Sequence, residues 1–254
     1  MKKFSLLLFS LFLAFAFVAC NNGQKDQTTE SNPEITTEEL DSHIKTLASD
    51  EFGGRAPGTP GGKKATNYIK NQFENAGLEP GNDGSWFQQV PLVNIKAASN
   101  TSVEVKGLAQ PATLQNGENT VVWTTHVKDK VTVENSDLVF VGYGIVAPQY
   151  DWNDYEGLDV EGKTVVILVN DPGFATQDSS LFTGNAMTYY GRWTYKYEEA
   201  ARQGAEAAIV IHETAPAGYP WEVVTGSWTG TQYHLAAEDK NMGDVKVEGW
   251  ITHD

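Results

Sequence analysis

The chain of 254 residues is 40% hydrophobic and 20% charged, an ordinary globular composition that excludes wholesale disorder and leaves room for one large domain or two small ones. Its formal net charge of −15 argues against a nucleic-acid partner, because phosphate binding needs clustered Lys and Arg.

In chain order, Lys2 and Lys3 precede an uncharged apolar run from Phe4 to Val18, too short to span a membrane comfortably and suited to a secretory signal over 1–19. The only cysteine, Cys20, ends "FVAC", which resembles a bacterial lipobox, with Phe17 in place of the usual Leu. That resemblance makes Cys20 a lipidation site and tethers the protein to the cell envelope, on the periplasmic or the surface side of the outer membrane. Loss of Lys2 and Lys3 with the signal takes the charge from −15 to −17. With Cys20 acylated no thiol remains for a disulfide, so burial alone must hold the fold. Residues 20–35 are polar and aperiodic, as in a flexible tether.

Order begins with a capping box, Thr36 with Glu39, and a staple of Ile35 with Leu40. Leu40, Ile44 and Leu47 then recur at helical spacing, which predicts a helix over 37–48. A Gly- and Pro-rich loop follows. Thr59 can cap the next helix, Pro60 suits its first position, Ala65, Ile69, Phe73 and Ala76 share a face, and Gly77 fits a left-handed terminus. "WFQQVPLV", residues 86–93, reads as the next strand. From Ser99 onward the texture is of short β segments, broken by a predicted helix over 194–203 that ends at Gly204 and leads into a strand over 207–211. The last third, from Tyr219, again reads as β.

Chemical motifs are scarce. "PGTPGGKK" fails as a phosphate-binding loop, because Pro57 replaces its first glycine and Lys64 stands where Ser or Thr should reach magnesium. "TGSWTG" around Ser227 lacks the spacing of a nucleophile elbow and reads as a polar β-turn, although His212 and Asp171 can be imagined as its partners. His43, His126, His212, His234 and His253 are isolated, with no metal-binding spacing among them. His43 lies off the apolar stripe, as a solvated residue would. The aromatic run "MTYYGRWTYKYEEA" could be a stacking platform or interior packing.

"LASDEFGGRAPGTPGGKKATNYIKNQFENAGLEP" followed by "GSWFQQVPL" resembles the entry to the di-zinc aminopeptidases of metallopeptidase clan MH. "DLVFVGYGIVAPQYDWNDYEGLDVEGKTVVILVNDPG" and "YKYEEAARQGAEAAIVIHE" resemble the protease-associated (PA) domain inserted in many of them. The resemblance runs from Glu38 to about Thr252. It implies an α/β fold for the full protein, with 36–95 supplying an N-terminal helical part of the peptidase domain and 96–254 a β-rich α+β PA domain. It also implies two zinc ions bridged by a hydroxide that attacks peptide substrates beside a carboxylate base, with the PA domain as lid or access wall. The zinc ligands are expected after the PA domain, past Asp254. No position here matches them, so no catalytic or metal residue is assigned to this chain, no zinc is expected to bind it, and the chain alone is expected to be inactive. Arg55, in the loop, is expected to be a structural anchor, through an ion pair or a clamp on a carbonyl, in preference to a substrate contact. Two other readings stay open: a non-catalytic envelope lipoprotein whose PA-like domain binds a ligand or protein, and a PA domain belonging to a serine protease.

Overall fold

A computed structural model describes residues 34–98 and 101–253. The segments expected to be a signal and a tether, with Cys20 between them, lie outside the described residues as far as residue 33. The chain divides into two compact units, Met1–Gln88 and Gln89–Asp254.

The first unit is helix α1 (Thr37–Leu47), a 3-10 turn (Asp50–Phe52) and helix α2 (Pro60–Asn75). Local chemistry sets the start of α1 and both ends of α2. The Thr36 hydroxyl accepts the Glu39 N–H at 3.2 Å while the Glu39 carboxylate accepts the Thr36 N–H at 3.3 Å, a closed capping box. The Thr59 hydroxyl accepts the Gly62 N–H at 3.1 Å, with Pro60 opening α2. At the far end Gly77 turns left-handed (φ 78°) and the Leu78 N–H donates back to the Phe73 carbonyl at 3.0 Å.

The glycine pair in the first turn of α2 answers to close backbone approach. A Cβ on Gly61 would stand 1.8 Å from the Phe52 carbonyl oxygen, and one on Gly62 2.3 Å from that of Ala56. Phe52 is buried at this crossing, and its ring meets Tyr68 edge-on at 6.1 Å. Tyr68 also bonds His43 Nδ1 at 2.7 Å, so His43 bridges the two helices and is not the solvated residue expected.

In the second unit strands β1 (Leu92–Ile95), β2 (Ser102–Val105), β3 (Ala112–Gln115), β4 (Thr120–Trp123), β5 (Leu138–Phe140), β6 (Val146–Ala147), β7 (Trp152–Asn153) and β8 (Thr164–Leu168) lead to the short helix α3 (Pro172–Thr176). Helix α4 (Trp193–Arg202), strand β9 (Ala207–His212), the helical turn α5 (Thr214–Ala217), helix α6 (Trp221–Trp228), β10 (Gln232–Leu235) and β11 (Val247–Thr252) complete it. The main sheet has the order β4-β11-β9-β8-β5. Four strands run parallel, and β4 is an antiparallel edge. The pairs β1–β10, β2–β3 and β6–β7 form separate antiparallel ribbons.

Apolar strands buried on both faces explain the parallel core. Val165, Ile167, Val210 and Trp250 are sealed inside, with Tyr197 and Ala200 of α4 packed over them. The fold is thus mixed α/β, with a helical segment ahead of β-rich sheets. That is consistent with the α+β arrangement expected, with a main sheet of four parallel strands and one antiparallel edge.

Three expectations are corrected. The region from Tyr219 is not all β: Trp221–Trp228 is a helix whose Val224 enters the core. "TGSWTG" is accordingly the last turn of that helix with Thr229 and Gly230 just beyond it, not a β-turn. The strand read over 86–93 begins to pair only at Leu92, with β10 as its partner.

Candidate functional site

Four parallel strands bring their carboxyl ends, Phe140, Leu168, His212 and Thr252, to one edge of the main sheet. Loops leaving that edge are where open α/β sheets carry their ligands. A single buried side chain organises them. Lys196, on α4, is fully enclosed, and its ammonium donates to the carbonyls of Tyr143, Asn170 and Tyr190 at 2.7, 2.9 and 2.6 Å. Burial pulls its pKa down to about 7, while Asp154 and Asp171 act to raise it. One cation therefore ties the loops after β5 and β8 to the turn before α4.

Asp171 supports the same corner. Its buried carboxylate accepts from the Gly173 N–H at 3.1 Å, capping α3, and from the Thr188 N–H and hydroxyl at 2.9 and 2.7 Å. Asn170, in the left-handed region at φ 72°, donates its side-chain amide to the Pro216 carbonyl at 2.7 Å and so joins this corner to α5.

Beside it, past the ends of β9 and β11, lies an open cavity of about 320 Å³. His212, Glu213, Thr214, Trp221, Thr252 and His253 contribute to its walls. His212 Nε2 lies 3.0 Å from the Tyr219 carbonyl, which can only accept, so Nε2 carries the proton and Nδ1 a lone pair. Burial lowers the His212 pKa. The Trp221 indole is fixed by donation from Nε1 to the Glu118 carbonyl at 2.6 Å. Glu213 Oε1 is 3.9 Å from His253 Nε2.

The imagined relay of Ser227, His212 and Asp171 is not assembled. Asp171 is committed to Gly173 and Thr188 and His212 to Tyr219, and among the described residues no hydrogen bond links the three. The aromatic run resolves mostly into packing, with Tyr195 and Tyr197 buried and Tyr189 exposed. Arg55 sits at φ 61° and donates from its guanidinium to the Leu47 carbonyl at the end of α1. Among the described residues no three of His, Cys, Asp and Glu are placed to hold a metal ion, and no helix is long and apolar enough to cross a membrane.

Sequence reasoning missed several buried ionisable groups, Lys196 and Glu248 among them. Glu248 lies within β11, accepts the Trp123 indole N–H at 2.9 Å, and has its pKa raised to about 8, by burial first and by Asp244 second. The "YKYEEAA" pattern places Lys196 between two buried tyrosines, and that was the available signal.

No protein-family model matches the chain, and no curated protein matches it. Among solved structures, an aminopeptidase from Aneurinibacillus sp. strain AM-1 aligns with a TM-score of 0.37 at 20% identity, over 85% of this chain and 38% of that one. The chain thus spans well under half the length of that aminopeptidase.

Proposed function

We propose that this chain is the amino-terminal region of an envelope-anchored, zinc-dependent aminopeptidase, with the second unit serving as a PA-type lid or access wall for peptide substrates. The observation that carries the reading is the open apolar stripe on the first unit. Ile35, Leu40 and Ile44 at α1 are 79, 51 and 65% exposed, and Ile69 and Phe73 on α2 are 43 and 48% exposed. Rows of this kind mark surfaces built to be covered. The motif that these helices carry resembles one whose helices flank a catalytic sheet.

The described residues do not fit a zinc pair, so the ions are assigned to no residue of this chain and no hydrolytic step is derived through them. What this chain contributes is geometric: capped helices, the Gly61–Gly62 crossing and the Arg55 bond hold the stripe in place. The cavity beside His212 favours a second reading, an envelope lipoprotein that binds a ligand without cleaving it.

The test is the complete gene product. Hydrolysis of leucine p-nitroanilide, abolished by a chelator and restored by zinc, is expected, together with a changed preference for peptide length when the second unit is deleted. A complete protein with no metal-dependent aminopeptidase activity would overturn the reading.

A further inference from the structure

The cavity at the ends of β9 and β11 sets a carboxylate and an aromatic ring in the same wall. Glu213 supplies a carboxylate, Trp221 an indole and Thr214 a hydroxyl; His253 also lines it, with Nε2 3.9 Å from Glu213 Oε1, and no Lys or Arg contributes to the lining. Glu222, in the first turn of α6, lies close enough to act on the His212 ring, and its charge offsets the positive end of that helix. His212 adds no opposing charge: its Nε2–H is spent on the Tyr219 carbonyl, its Nδ1 is a lone pair, and burial favours the neutral ring. The chain as a whole carries −15, so the long-range field also draws cations toward it.

An anion would find no charged donor of the lysine or arginine type here. A bare metal ion would find too few ligands, since no three suitable side chains converge among the described residues. An aromatic wall beside a carboxylate suits an organic cation, whose charge pairs with the acid while its hydrocarbon lies against the ring. The indole is already anchored through Glu118, so little ordering remains to be done on binding. The volume of about 320 Å³ is at the small end of ligand sites and admits a residue-sized group.

We infer that this cavity binds a primary ammonium group, with Glu213 as its counter-charge and Trp221 as its apolar wall. Two sources share that chemistry: the α-ammonium of a peptide and the side-chain ammonium of a lysine. The inference goes beyond the peptidase reading and does not rest on it, because binding is read on this chain with no hydrolysis involved.

The experiment titrates the 254-residue chain by calorimetry and by ¹⁵N-edited NMR with three probes. Glycylglycinamide offers only an α-ammonium, Nα-acetyl-lysinamide only a side-chain ammonium, and Nα,Nε-diacetyl-lysinamide neither. Weak saturable binding of one or both charged probes, with shifts around Glu213 and Trp221, is expected, and which of them binds identifies the source. Glu213→Gln should weaken that binding at least about fivefold, as should raised salt, and Trp221→Leu should weaken it further while leaving the charge in place. Equal binding of the diacetylated probe, an unchanged affinity in Glu213→Gln, or no binding by either charged probe would overturn the assignment.

Discussion

Glu248 offers the sharpest test of how burial sets the stability of the second unit. It sits in β11, between β4 and β9, with its carboxyl bonded to the Trp123 indole at 2.9 Å. Its pKa is raised from 4.5 to about 8, so at neutral pH the folded protein keeps a proton that the unfolded chain has released. For an acid raised in this way, stability is whole below 4.5, falls as pH climbs through the window, and levels off above 8. One proton costs about 1.4 kcal/mol per pH unit, so the folded state has lost roughly 3 kcal/mol by pH 7 and roughly 5 kcal/mol beyond the upper pKa. Glu248→Gln removes the proton while its side-chain oxygen can still accept from Trp123. The variant should therefore match the parent near the lower pKa and exceed it by about 3 kcal/mol at pH 7. Urea denaturation followed by Trp fluorescence, repeated from acid to mildly alkaline pH, reads the difference directly. A constant offset from poorer packing of the amide would leave the slope intact. A stability difference that does not grow with pH across the window would refute the reasoning.

Other perturbations obey the same logic. Lys196→Met leaves three interior carbonyls without their charged donor, and should cost about 2–4 kcal/mol and speed hydrogen exchange in the loops around Tyr143, Asn170 and Tyr190. Gly61→Ala drives a Cβ against the Phe52 carbonyl and should loosen the first unit by about 2 kcal/mol or more, seen as faster exchange of the α2 amides. Arg55→Ala loses the bond to Leu47 but keeps the left-handed backbone, for a cost of about 1 kcal/mol, whereas Arg55→Gly loses the same bond and relieves the strain. Limited proteolysis of the loop should therefore rank the Gly variant as more resistant than the Ala variant.

What could be read from the amino acids was what neighbours in sequence decide. Thr36 with Glu39, Thr59 with Pro60, and Gly77 with Leu78 complete their hydrogen bonds within a few residues, so the ends of α1 and α2 were legible. Helix α6 was not. Val223, Val224, Thr225, Gly226 and Ser227 are poor helix formers, and the segment is helical although its own propensity is against it, with Val224 inserted in the core. The β reading of the last third covers "VKVEGWIT" but carries no sign that Glu248 is enclosed. The strand is paired on both edges and covered on both faces, by partners more than a hundred residues earlier in the case of Trp123, so Glu248, Gly249 and Trp250 are all buried in succession.

The two features of greatest chemical interest were hidden for that same reason. Lys196 becomes a tie between three loops only because β5, β8 and α4 meet at one edge of the sheet, and the cavity beside Glu213 exists only because β9 and β11 end together. Neither arrangement leaves a local spacing in the chain. The cavity depends on the parallel register of Thr252 with His212, a pairing between residues forty positions apart that no short motif encodes. A substitution that shifted this register by one residue would turn every side chain of β11 to the opposite face, moving Glu248 and displacing Trp250 from the core together.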